Sequence, residues 1–285
     1  MENILKIMMK GRPQDTQSEI QNSLREVMQE ITLYALSSSG FFSEASFYGG
    51  TALRLFHGLD RYSEDLDFSL REVSDTFDLS DYIEPLKDNF DRLGIDVDVG
   101  VKTKSFKSKM ESAFVKGNTK ALLIDICPDE KISGIYPTDR IKVKFEVDTD
   151  PPAGAGFEKR FLLSPYPCEI STFDIGSLYA GKVYAILCRN WGHRFKGRDL
   201  YDLIFYVSRN VSLNLESLRN RLVQTGTVDE AAVLTLEDVK GMLLRKMDEI
   251  DFETAKTDVI PFIRDERSLS IWSREFFADV ISRMI

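Results

Sequence analysis

Histidine and cysteine are scarce in this chain. Two histidines and three cysteines occur among 285 residues, with no Cys-x-x-Cys spacing, which argues against a zinc site. Cys127, Cys168 and Cys188 are far apart in apolar or mixed surroundings. An odd, sparse set of this kind predicts reduced core thiols in a cytoplasm, not a disulfide framework. Long apolar runs are missing too. The uncharged stretch Ile31–Ser43 is broken by serines and a glycine and falls short of the roughly 20 residues a spanning helix needs. The opening residues, MENILKIMMKGRPQDTQSE, lack the apolar segment and small-residue cleavage site of a secretory leader. No internal repeat or low-complexity tract is visible. These absences predict a soluble cytoplasmic protein without membrane contact.

Positive charge is in deficit overall, with 37 basic against 46 acidic residues and a net charge of −9. That balance argues against sequence-independent nucleic-acid binding by the whole surface. The basic residues are clustered, however. Lys102, Lys104, Lys107, Lys109, Lys116 and Lys120 share their stretch with a single acid, Glu111. Lys182, Arg189, Arg194, Lys196 and Arg198 share theirs with none, and Tyr184, Trp191 and Phe195 interleave with them. Most such runs are solvated faces. The second, with its aromatics, suits a triphosphate or an RNA end. With 43% apolar and 11% aromatic residues the chain can build a core, and its length suits one large domain or two modest ones.

The stretch FYGGTALRLFHGLDRYSEDLDFSL, Phe47 to Leu70, carries the strongest signal. Gly49 and Gly50 let a backbone approach a phosphate at the N-terminus of the helix that follows. Thr51 fits as a cap or as a hydroxyl donor to that phosphate. Asp65 and Asp67 are two residues apart on an expected strand, so both point one way while Leu66 and Phe68 point into the core. A carboxylate pair suits Mg²⁺, which keeps several waters and takes substrate phosphates as further ligands. Glycine pairs are ordinarily turns and Asp-x-Asp ordinarily a solvated face. Their occurrence together, in this order, reads as a nucleotidyl-transfer site.

Periodicity predicts an amphipathic helix over residues 15–38, a strand at Ser46–Tyr48, a helix at Thr51–His57 and a strand at Asp65–Leu70. A helix at Asp81–Leu93 precedes expected strands at Ile95–Val101, Met110–Val115, Lys120–Cys127 and Ile141–Val147, the last stopped by Pro151-Pro152. Shorter strands are expected at Phe161–Leu163 and Cys168–Ser171. From Asp174 the period is helical to the C-terminus, with breaks near Asn190–Gly197, Thr225–Thr227 and Asp265–Ser268. The expected class is α+β: a mixed-sheet domain over 1–172 and a helical domain over 173–285. A third carboxylate is needed if two metals are to flank an in-line displacement. Glu146, Asp148 and Asp125 are all candidates on the residues alone; Asp96 and Asp98 alternate on their strand with no chemistry assigned.

The segment GGTALRL…RYSEDLDFSL resembles motif I of the polymerase-β-type nucleotidyltransferases. It is similar in particular to the AbiEii/AbiGii abortive-infection toxins of type IV toxin–antitoxin systems, a family linked to phage defence. IKVKFEVDTDPP (Ile141–Pro152) and LYAGKVYAILCRNWGHRFKGRDLYDLIFYV (Leu178–Val207) extend the resemblance in order; nothing after Val207 matches. The resemblance implies an NTP-using enzyme with two Mg²⁺ ions, Glu146 as third metal carboxylate beside Asp65 and Asp67, and Lys144 on the same face. It places Lys182 on the phosphates, with Gly49, Gly50, Thr51 and Arg198 as further phosphate contacts. Asp199, i, i+3 from Asp202 on an Arg-Asp-x-x-Asp helix, would orient Lys182 or Arg198, or act as a base. Orientation is preferred, because three carboxylates already serve the metals. His193 is expected to be a loop residue. The implied acceptor is a tRNA 3′ end or a protein side chain, and the implied partner a separately encoded antitoxin. Two rival readings are a small-molecule nucleotidyltransferase of the antibiotic-modifying kind, which needs a deep acidic acceptor pocket, and a nucleotide-binding module without turnover.

Overall fold

The structure, a computed structural model, describes residues 3–102, 109–124, 126–127, 129–189 and 196–285. Among the described residues, seven strands form one mixed sheet: β1 (Ala45–Tyr48), β2 (Leu66–Leu70), β3 (Asp98–Val101), β4 (Met110–Asn118), β5 (Arg140–Asp148), β6 (Phe157–Leu162) and β7 (Cys168–Phe173). Their order is β3-β4-β5-β2-β1-β7-β6. The β1–β2, β3–β4 and β4–β5 pairs are antiparallel, while β2–β5 and β1–β7 are parallel. The sequence explains the central strands directly. In β5, Ile141, Val143, Phe145 and Val147 are all buried, so alternation puts Lys142, Lys144 and Glu146 on the other face. Phe68 of β2 is wholly buried beneath Phe41, Phe47 and Phe145, with ring centroids 5.0, 5.2 and 6.4 Å away.

Helices before and between the strands are α1 (Ile4–Met9), α2 (Gln17–Ser38), α3 (Gly49–His57), α4 (Ile83–Arg92), α5 (Thr119–Leu123) and α6 (Asp129–Ile132). Those after the sheet are α7 (Ile175–Cys188), α8 (Gly197–Ser208), α9 (Leu215–Gln224), α10 (Leu236–Met247), α11 (Phe252–Val259) and α12 (Arg274–Ser282). Helix α2 starts at a capping box, in which the Thr16 hydroxyl accepts from the Glu19 amide and the Glu19 carboxylate from the Thr16 amide, both at 3.2 Å. It lays Ile20, Leu24, Val27 and Ile31 into the core against β5 and α4. Among the described residues no helix is long and apolar enough to cross a membrane.

One expected strand is not found among the described residues. Lys120–Cys127 begins instead with α5, because Asn118 caps it by accepting from the Ala121 amide at 3.0 Å. A short apolar run carries too few residues to show its period, and the cap decides. The N-terminal segment Ile4–Met9, for which the sequence reading assigned no element, is helical under an Asn3 cap.

The chain divides into two compact units. Residues 1–51, 63–151 and 159–172 make the first; residues 52–62, 152–158 and 173–285 make the second. The first contains the central strands. In the second, α7 packs on α8, α9 and α10, and α8 packs on α11. Gly197 sits where α8 meets α11: a Cβ there would overlap the Ala255 carbonyl, so only glycine allows this approach.

Candidate active site

The central strands of the first unit build a carboxylate ledge. Asp67 on β2 is level with Glu146 on the parallel neighbour β5, and adjacent strands lie about 4.8 Å apart. Asp65 immediately precedes β2, and its carbonyl accepts from the Thr51 hydroxyl at 2.5 Å. Asp65, Asp67 and Glu146 are half-buried, while Leu66, between the aspartates, and Phe68, after them, are fully buried. Asp148 is level with Ser69, one step further along, and is buried. The third candidate, Asp125, lies outside the described residues.

Glu146 is held from two sides. Ser112, its register partner on β4, donates to Oε1 at 3.0 Å, and the Lys144 ammonium stands 2.8 Å from Oε2. Among the described residues no group of three or more His, Cys, Asp or Glu side chains is gathered as a ready-made metal cage. The ledge is instead a partial set of hard oxygens, which suits Mg²⁺ where water and substrate phosphates complete the shell. A cation at Glu146 would replace Lys144 as its counter-charge.

Gly49 opens α3 with φ +83°, a left-handed backbone that favours glycine. A Cβ there would collide with the Asp67 carboxylate and lie 3.1 Å from both Asp67 Cβ and Cγ. The bare backbone of Gly49 therefore adjoins the ledge, and Gly50 follows it in the first turn of the helix. Thr51 is placed differently from expectation. It lies inside α3, buried, and its hydroxyl donates to the Asp65 carbonyl at 2.5 Å. That bond ties the glycine helix to the start of β2, in place of a helix cap or a hydroxyl offered to phosphate. Gly49→Ala should cost about 1–3 kcal/mol through backbone strain and should also displace Asp67. Urea titration and transfer assays on the same preparation would check both, and wild-type values in each would refute the account.

The second unit holds the remaining candidates. Lys182 on α7 and Asp199 on α8 are 2.7 Å apart, and the same ammonium lies 2.8 Å from Asp202 Oδ2. Asp202 is wholly buried and receives the Arg61 guanidinium in a two-pronged grip, both bonds 2.6 Å. Burial alone would push the Asp202 carboxyl up, but Arg61 and Lys182 outweigh it and hold it below the usual carboxylate range. Burial pushes Tyr206 well up, aided by Asp202, and its ring stacks on Tyr179 at 4.5 Å. Arg198 lies over the Phe262 ring at 4.1 Å, with Nε 3.6 Å from Asp258 Oδ2. Lys104, Lys107, Trp191, His193, Arg194 and Phe195 lie outside the described residues.

Sequence reading missed Ser112 as the Glu146 donor and Arg61 as the Asp202 partner. Ser112 could have been found once β4 was paired with β5, since a small polar residue opposite a functional glutamate is then visible. Nothing local marks the Arg61–Asp202 pair, whose members are 141 residues apart.

A family model for the nucleotidyl transferase AbiEii toxin of type IV toxin–antitoxin systems matches residues 31–280. No curated protein matches the chain. Among solved structures, JHP933 from Helicobacter pylori aligns over 92% of this chain and 90% of its own, with TM-score 0.50 and 17% identity; that likeness concerns the fold alone. A candidate nucleotidyltransferase from H. pylori aligns over 90% and 88%, with TM-score 0.47 and 19% identity. With the family model spanning most of its length, this chain belongs to the AbiEii nucleotidyl transferase toxins, a membership that implies an antitoxin partner.

Proposed function

We propose that the chain transfers a nucleotide from an NTP to an acceptor in a Mg²⁺-dependent reaction that releases pyrophosphate. The observation that carries this reading is the level placement of Asp67 and Glu146 on adjacent parallel strands, with the side-chain-free Gly49 against Asp67. When bound, Mg²⁺ would supply charge neutralisation at the phosphoryl oxygens and at the attacking hydroxyl. Asp65, Asp67 and Glu146 would hold the ions. Gly49 and Gly50, in the first turn of α3, would accept a phosphate at the helix N-terminus, where the dipole favours negative charge. Lys144 would move from Glu146 toward the incoming anion.

Lys182 is a second proposed phosphate contact. Two of its three N–H donors are spent on Asp199 and Asp202, which supports an orienting role for Asp199 and leaves one donor for a phosphate oxygen. Lys182→Ala is expected to lower kcat/KM for every acceptor by about 10- to 150-fold, the value of a charge-assisted hydrogen bond of roughly 1.5–3 kcal/mol. Unchanged NTP kinetics, with only a lowered melting temperature, would assign Lys182 to the buried charge network alone.

The acceptor is proposed to be a tRNA 3′ end or a protein side chain. Incubating the purified protein with each labelled NTP, Mg²⁺ and either total tRNA or a cell-protein extract tests the whole reading. Label should pass to one of the two macromolecules from a preferred NTP, and chelation should abolish the transfer. Absence of transfer under all these conditions would favour the binding-module alternative.

A further inference from the structure

A cavity of about 400 Å³ opens within the second unit, beside α8. It involves none of the ledge carboxylates, so it stands apart from the reaction proposed above. Its floor is Phe205 and Trp272, both largely buried, and its walls include the half-buried Tyr201, Ile204 and Phe276. Ile271 stands at the rim with 59% of its surface exposed. Cavities of this size and mostly apolar lining suit a ligand of one ring system and its substituents.

Two charged groups fix the chemistry. Arg209, the residue that ends α8, lines the cavity and lies over the Phe205 ring at 4.3 Å. Among the described residues no carboxylate pairs with it, in a chain where acids outnumber bases. A stacked guanidinium presents its N–H edge to an anion. On the same cavity, Asp60 accepts from the Tyr201 hydroxyl through Oδ1 at 2.8 Å, and its second oxygen can accept from a ligand amino group. Aromatic walls take a flat ring; Arg209 takes an anionic substituent; Asp60 takes an amino donor.

We propose that this cavity is a nucleotide-binding site, with an amino-bearing base among Tyr201, Trp272 and Phe276 and the phosphate on Arg209. Base stacking on aromatic side chains is the usual basis of such binding. The nucleotide comes either free or as an unpaired residue of an RNA strand, and the two sources share this chemistry.

Calorimetric titration of the full chain in Mg²⁺-free buffer tests it, with AMP, adenosine, UMP and single-stranded pentaadenylate as probes. AMP should bind at least about tenfold more tightly than adenosine, and more tightly than UMP. Arg209→Ala should erase the difference between AMP and adenosine, since it removes the charge-assisted contact. Ile271→Glu, at an exposed position, should weaken AMP by placing a carboxylate at the rim. Asp67→Asn should leave AMP binding unchanged, which separates this site from the ledge and keeps the proposal testable if transfer activity is never found. Pentaadenylate binding that is tighter than AMP and equally sensitive to Arg209→Ala would name an RNA strand as the source; weaker or equal binding would name the free nucleotide. AMP affinity unchanged by both Arg209→Ala and Ile271→Glu, or no AMP binding at millimolar concentration, overturns the proposal.

Discussion

Asp67→Asn is expected to melt close to the wild type and to lose about three orders of magnitude in nucleotidyl transfer. The fold should survive because Asp67 is half-buried on the ledge face, while the core of β2 is Leu66 and Phe68. Asparagine keeps the shape and removes the charge. If the carboxylate holds a cation that stabilises phosphoryl charge, its neutralisation should cost several kcal/mol at the transition state. About 4 kcal/mol corresponds to a thousandfold loss. Labelled-nucleotide incorporation measures the first effect and a thermal melt the second. Growth gives an independent reading: expression of the wild type should arrest cells and Asp67→Asn at equal protein level should not. Transfer retained within tenfold, or equal growth inhibition by both proteins, would remove Asp67 from the site.

The parts of this site that could be read from sequence are those whose signal is local. Ile141, Val143, Phe145 and Val147 announce β5 because a half-buried strand repeats every two residues, and all four are buried. Asp67 takes the face opposite Leu66 and Phe68 for the same reason. Which carboxylate stands beside Asp67 is a different question, since it depends on strand order and register. Only the β2–β5 pairing puts Glu146 level with Asp67 and Asp148 level with Ser69. Thr51 shows a related limit: a threonine after two glycines fits a cap, yet α3 starts two residues earlier and turns the hydroxyl to the Asp65 carbonyl. Residues 52–62 belong to the second unit although they lie between two pieces of the first. Periodicity identifies the apolar face of that segment and carries no information about what the face packs against.

The buried charges of the second unit set the second large effect. Asp202→Ala is expected to lower unfolding free energy by about 3–5 kcal/mol, the usual cost of removing one member of a buried ion pair. The cost arises from what remains. Asp202 is fully buried and serves both Arg61 and Lys182; without it, two cations share Asp199 alone. Lost packing predicts otherwise, and a second variant separates the two causes. Arg61→Met combined with Asp202→Leu removes the Arg61 cation as well, leaving Lys182 paired with Asp199, so the double variant should recover most of the stability lost by Asp202→Ala. The pH dependence has a definite sign. The folded-state pKa of Asp202 is depressed, so its contribution is complete above the unfolded carboxylate value and is lost as pH falls through the folded one. Acid should therefore narrow the gap between wild type and Asp202→Ala, and only below the ordinary carboxylate range. Denaturant titrations across that range measure the gap directly. A gap that stays constant there, or a single variant as stable as the wild type at neutral pH, would show that the network is solvated and that Asp202 does not hold these cations in place.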